Sequence, residues 1–257
     1  MNEIADAVEG RRTKLATPRD EHAPPPWGFW STLAWVVVAF LLGAGLIGGG
    51  VLWLNWGQLE AVPETQDDPW FSLQLIVINV VQIVVLAWAA RLARWPVGHY
   101  LGLVRPRSTD LWHGFAALAV LIGTLEILTH VVGRESVTPF QAEAYRAARA
   151  AGVVPLLWAA FVVAAPVGEE IVFRGFLFRG CAASRLGIPG TVLVTSLAFS
   201  AAHVQYDWFG VAQTFCIGAL FGWLRWRSGS TIVTIVLHMA VNFVATAWAA
   251  IKAEGLV

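Results

Sequence analysis

The chain has 257 residues, of which 57% are hydrophobic and 13% charged, and its 17 Lys+Arg balance its 17 Asp+Glu to a formal net charge of +0. Soluble domains average about 45–50% apolar and about 25% charged residues, so this composition, with a mean hydropathy of +0.64, belongs to the membrane class. The neutral balance lacks the basic field that nucleic-acid binding requires, and two cysteines, Cys181 and Cys216, make neither a disulfide framework nor a CxxC metal pattern.

The first 26 residues are polar and end in Pro24, Pro25 and Pro26. They do not read as a secretory signal, because no apolar core follows a basic start. A disordered cytoplasmic tail over 1–26 is expected, followed by a membrane-embedded domain over 27–252.

A helix crossing a bilayer needs about 20 mostly apolar residues. Seven stretches reach or approach that, roughly 28–54, 70–90, 111–132, 153–178, 189–206, 209–224 and 231–251. The predicted fold is therefore all-α, a polytopic helical bundle of about seven transmembrane helices. Six to eight are compatible with the pattern, because the fifth and sixth stretches are short and only a small polar turn at Tyr206 and Asp207 separates them. The segment between the third and fourth spans, PFQAEAYRAARAAG over 139–152, has the charge spacing of a short surface helix. Most Lys and Arg fall in segments that a cytoplasmic N-terminus places inside. The segment 55–69, with Glu60, Glu64, Asp67 and Asp68 and no cation, fits the outside. An integral multi-pass protein of the plasma (inner) membrane, N-terminus inward, is the expected setting, with the lipid bilayer as surroundings.

Charged groups inside spans cost several kcal/mol unless paired or hydrated, and so mark function. Here they are Glu126, Glu169, Glu170 and Arg174, joined by His130, His203 and His238 within or at the ends of spans. In GEEIVFRG, over 168–175, Glu170 and Arg174 are four apart and share a helix face, so they can pair. Glu169 points about 100° away with no local cation, which makes it a general-base candidate. Pro166 and Gly168 precede it, and proline removes a backbone hydrogen bond and kinks the helix. Phe199 and His203 are likewise four apart, as are His238 and Asn242. Glu169, His203 and His238 are expected to converge within about one or two helical turns of the same depth. Glu126 and His130 read as structural or accessory, and Asn79, Gln82 and Gln213 as hydrogen-bonding contacts between helices.

These residues resemble a known family. EEIVFR over 169–174 looks like the EExxxR motif of the CAAX protease and bacteriocin-processing family, called CPBP or Abi. FSAAH over 199–203 resembles its FxxxH motif, and HMAVN over 238–242 its third motif. The resemblance covers a core of about 153–245. It implies an intramembrane endopeptidase related to the type II CAAX prenyl endopeptidase, acting on a membrane-associated protein or peptide. By the same resemblance Glu169 and His203 activate a water, His238 and Asn242 steady the oxyanion, and Glu170 and Arg174 orient the site.

The family carries the label metalloprotease, and two histidines and a glutamate, His203, His238 and Glu169, also make a zinc set with an open position. The same groups make a metal-free acid–base site, which is the favoured version here; the cofactor expectation is thus none required, or Zn2+. No HExxH occurs. The competing readings are a non-catalytic membrane scaffold or bacteriocin-immunity-type protein, and a proton-coupled transporter, against which no internal repeat is visible.

Overall fold

In lipid, backbone N–H and C=O groups find no water, so an apolar segment satisfies them internally as a helix. The computed structural model describes residues 27–54, 70–135 and 138–256, and among these every regular element is helical. The tail expected over 1–26 lies outside the described residues.

The helices in chain order are α1 (Phe29–Leu54), α2 (Phe71–Leu92), the single turn α3 (Val97–Tyr100), α4 (Ser108–Val131), α5 (Pro139–Ala150), α6 (Val154–Ala182), α7 (Gly187–Ala201), α8 (Trp208–Ser228) and α9 (Thr231–Ala253). Five of them, α1, α2, α4, α6 and α9, are long and apolar enough to cross a membrane. Of the other two expected spans, α7 has only 15 residues. The 21-residue α8 is diluted by Gln213, Thr214, Arg225 and Arg227.

Helix α6 is the central element. Half of its most apolar window is buried, against 17–33% for the other four candidate spans. It touches α1, α2, α7, α8 and α9. One core, built around Leu86, Tyr100, Val172, Phe176 and Phe199, ties α1, α2, α3 and α7 to α6. A second, with Leu118, Phe221, Leu224, Val233 and Leu237, joins α4, α8 and α9.

Helix α6 is not the uniform α-helix that its apolar run suggests. It widens into π turns over Ala159–Ala164 and Ile171–Leu177, on either side of an α segment over Ala165–Glu170. Pro166 sits in that segment and has no N–H to donate, so the ladder shifts register: the Ala165 N–H reaches back five residues, to the Ala160 carbonyl. The two glutamates thus stand between two widened turns, a frequent setting of functional residues.

The predicted helix over 139–152 is present as α5. Thr138 caps it reciprocally with Gln141: the Gln141 N–H donates to Thr138 Oγ1 at 3.3 Å, and the Thr138 N–H to Gln141 Oε1 at 3.4 Å. Its far end is fastened to the end of α9, where Tyr145 Oη donates to Glu254 and Arg149 pairs with the same carboxylate.

Candidate active site

Glu170 is completely buried, and its Oε1 accepts two hydrogen bonds. Arg174 Nη1 donates from one turn along α6 at 2.9 Å, and His238 Nδ1 donates from α9 at 3.0 Å. Arg174, also 0% exposed, sends its Nη2 to the Gly218 carbonyl of α8 at 3.0 Å and lies over the Phe199 ring at 4.3 Å. A buried carboxylate is tolerable when paired and hydrogen-bonded, and this one has both forms of support. Arg225 Nε in turn donates to the Arg174 carbonyl at 3.0 Å, which secures the second π turn to α8.

A carboxylate oxygen facing an arginine accepts, so the hydrogen on His238 Nδ1 lies toward Glu170 and its Nε2 faces the other way. His203 is set in a comparable manner. Helix α7 ends at Ala201, so His203 lies in the turn just beyond it and not within a span over 189–206. Its backbone N–H goes to Ser200, three residues back. Its ring Nδ1 then donates to the carbonyl of Phe199, at 2.8 Å, which that N–H would otherwise have met. The imidazole closes the helix end, one of the carbonyls every helix leaves without a partner, and this fixes which nitrogen carries the hydrogen.

Both free imidazole edges meet at one atom. Glu169 Oε2 is 3.9 Å from His203 Nε2 and 3.9 Å from His238 Nε2. The atom is buried and has no hydrogen-bond partner, while the side chain as a whole is 25% exposed. These are gaps, not direct hydrogen bonds. A carboxylate oxygen without a hydrogen-bond partner and two imidazoles with fixed tautomers surround a space where a reacting molecule can be polarised.

Asn242 lies one turn beyond His238 on α9. Its Nδ2 donates to the Phe161 carbonyl in the first π turn of α6 at 2.8 Å. The donors that a helix would offer this carbonyl are used or missing: Ala165 bonds Ala160, and Pro166 has no N–H. One amide hydrogen of Asn242 is thereby committed and the other stays available.

These groups line a cavity of about 630 Å³, within the usual size of small-molecule sites. Glu169, His203, His238 and Asn242 all reach it, whereas Glu170 and Arg174 lie behind its wall. Glu126 and His130 stand on an exposed side of α4 and are not part of the lining. Gln213 does join helices, its Nε2 donating to Thr129 Oγ1 of α4 at 2.8 Å.

Asn79 departs from the expected hydrogen bond between helices. Its Nδ2 turns back to the Leu75 carbonyl of its own helix at 2.8 Å, and its buried Oδ1 has no partner. It packs so closely on Gly168 that a Cβ at 168 would sit 2.0 Å from Asn79 Oδ1. Leu75, Ile78, Asn79 and Gln82 of α2 all line the cavity, a contribution absent from the motif-based reading. Their spacing along one helical face, with two amides in an apolar span, was the available signal. Nothing in the sequence signals that Phe140 and Gln141 of α5 join the same wall.

A zinc ion does not fit the three groups as they stand. Ligands about 2.0–2.1 Å from a tetrahedral zinc lie about 3.4 Å apart, closer than the two 3.9 Å separations here. Among the described residues no group of three His, Cys, Asp or Glu has metal-holding spacing.

Residues 151–244, which carry Glu169, Glu170, Arg174, His203, His238 and Asn242, match the family model for type II CAAX prenyl endopeptidase Rce1-like proteins. An uncharacterized 24.3 kDa protein of Escherichia coli is 34% identical to the chain over 107 residues, 39% of this chain and 47% of that protein. The chain thus spans about half the length of the curated relative it matches. No solved structure matches.

Proposed function

We propose that this chain, whose residues 151–244 belong to the CAAX protease family, is an intramembrane endopeptidase that hydrolyses a peptide bond of a membrane-associated protein or peptide. One observation carries the reading. The buried, unpartnered Oε2 of Glu169 faces the Nε2 atoms of His203 and His238 at 3.9 Å each, on the wall of a peptide-sized cavity. We read the setting as the plasma (inner) membrane, with about seven spans (six to eight) on the apolar runs and a cytoplasmic N-terminus on the distribution of Lys and Arg along the sequence.

A water between the carboxylate and the imidazole edges makes the hydrogen bonds that the gaps leave open. Glu169 takes a proton from it as its oxygen attacks the scissile carbonyl carbon. The new C–O bond pushes the carbonyl electron pair onto oxygen. In this reading the second amide hydrogen of Asn242, which lines the same cavity, donates to that oxyanion. His238 is held from its other side by Glu170, so its Nε2 edge faces the same space as Glu169. Collapse breaks the C–N bond, and the proton held by Glu169 passes to the leaving amine. His203, held by the Phe199 carbonyl, orients the water.

The test is hydrolysis of an apolar membrane peptide by the full chain reconstituted in lipid. Glu169→Ala should abolish cleavage while preserving the thermal unfolding profile. Undiminished cleavage by that variant would sink the reading.

A further inference from the structure

Two arginines without a carboxylate partner meet at the end of the bundle where α2, α6 and α8 finish. Arg179, in the last turn of α6, donates from Nη1 to the carbonyls of His99 and Tyr100, at 2.8 Å and 3.4 Å, and so closes the end of α3. Arg225, in the last turn of α8 and only 9% exposed, donates from Nε to the Arg174 carbonyl. Its Nη2 lies against Gly102, where the close approach leaves no room for a Cβ and the φ of +66° suits glycine. The two guanidiniums are near enough for their charges to repel. Among the described residues no carboxylate stands within ion-pair distance of either.

Rings hold the faces of both guanidiniums. Arg179 lies over Trp95 at 4.2 Å and Tyr100 at 5.2 Å, and Arg225 over Phe178 at 5.5 Å. The nitrogen edges are where an acceptor can approach. Beyond Nη1 of Arg179 and Nε of Arg225, these nitrogens make no hydrogen bond among the described residues. The indole Nε1 of Trp95, against Arg179, is a further donor, buried and without a partner. A buried cation without a counter-charge is costly, and a second beside it adds repulsion. The neighbouring segments offer no relief: Arg91, Arg94, Arg105, Arg107, Arg185 and Arg227 are exposed on them, against the single carboxylate of Asp110. A tetrahedral oxyanion answers this demand, because each guanidinium edge can give it two parallel N–H bonds.

We propose that Arg179 and Arg225 form a binding site for a phosphate group, which bridges their two guanidinium edges beside Gly102. The chemistry is shared by a phospholipid headgroup and a free phosphate ion. The site stands at the ends of the apolar helices α2 and α6, the level at which basic side chains meet anionic headgroups. Arg225 also holds the Arg174 carbonyl, and Arg174 holds Glu170, so a ligand here bears on the turn behind the candidate active site. The inference stands apart from the endopeptidase reading, because its readout is binding.

The experiment follows thermal unfolding of the full chain in neutral detergent at constant ionic strength, titrated with short-chain phosphatidylglycerol, short-chain phosphatidylcholine or inorganic phosphate. At about a hundredfold excess over its Kd, a ligand should raise the unfolding temperature by several degrees. Arg179→Gln keeps a donor for the α3 carbonyls and removes the charge; it should weaken binding by about tenfold or more, with Arg179→Lys intermediate. Arg185→Gln, an exposed arginine on the same end, should change it by less than about twofold. A response to phosphatidylglycerol alone identifies a headgroup site, and a response to inorganic phosphate as well identifies a site for phosphate in general. The proposal is overturned if neither ligand shifts the transition, or if Arg179→Gln loses no more than Arg185→Gln. Should Arg179→Gln fail to fold, native mass spectrometry of the wild type decides: one phosphatidylglycerol should be retained in preference to phosphatidylcholine, and equal retention overturns the site.

Discussion

Asn242 Nδ2 donates to the backbone carbonyl of Phe161 at 2.8 Å, in the place of a helical N–H that Pro166 does not possess. A residue expected from the family motif to face the reaction therefore also repairs a break in the helix that carries Glu169. Asn242→Ala should leave that carbonyl unpaired, at a cost of about 1–3 kcal/mol in stability. Adding Pro166→Ala returns an N–H, so the double variant should regain much of the lost thermal stability while its peptide cleavage stays low. A double variant no more stable than Asn242→Ala would show that the carbonyl is not what Asn242 serves.

The buried pair of Glu170 and Arg174 sets up a sharper contrast. Both side chains are 0% exposed. Arg174→Met strands a buried carboxylate without its cation, leaving it His238 and Thr234, an expected loss of about 3–5 kcal/mol. Combining Glu170→Gln with Arg174→Met removes both charges and should unfold at a higher temperature than Arg174→Met alone. Thermal unfolding in detergent measures this; equal stability of the wild type and Arg174→Met would mean that the pair holds nothing.

Glu169 should respond in the opposite sense. It has no direct ion pair with an arginine or lysine, its Oε2 is buried without a hydrogen-bond partner, and it faces two imidazoles across 3.9 Å gaps. Glu169→Gln should thus keep or raise the unfolding temperature while lowering kcat by about 10²-fold or more. Glu170→Gln is expected to lower both. Matching stability losses for the two substitutions would contradict the division of roles between adjacent carboxylates.

Gly168 permits the approach of α2. A Cβ there would lie 2.0 Å from Asn79 Oδ1 and 2.7 Å from Asn79 Cγ. Gly168→Ala should cost about 1–3 kcal/mol through overpacking. Asn79→Ala in the same chain removes those two atoms and should recover part of the loss, a non-additivity that a double-mutant cycle reads directly.

Much of the helical framework was legible along the chain, because crossing helices are written as long apolar runs and each expected run became a helix. The errors came where a local rule was overruled nearby. The apolar run over 189–206 extends past the helix it forms: α7 stops at Ala201, and the His203 imidazole just beyond it takes over as the closing donor. An amide in an apolar span such as Asn79 suggests a hydrogen bond between helices, but Asn79 bonds its own helix and meets α6 by close packing.

The sequence by itself determined whatever depends on spacing within one element. Glu170 and Arg174 are four residues apart, so helical geometry brings them together, and the same geometry turns Glu169 away from them. Only the tertiary structure decided what Glu169 faces, that His238 binds Glu170 across 68 residues of chain, and that Asn242 reaches Phe161 across 81. Periodicity fixes a side chain's direction around its own axis. The rotation and depth of one helix against another follow from packing at points such as Gly168 on Asn79 and Arg174 on the Gly218 carbonyl, where the fit of whole surfaces sets the relation.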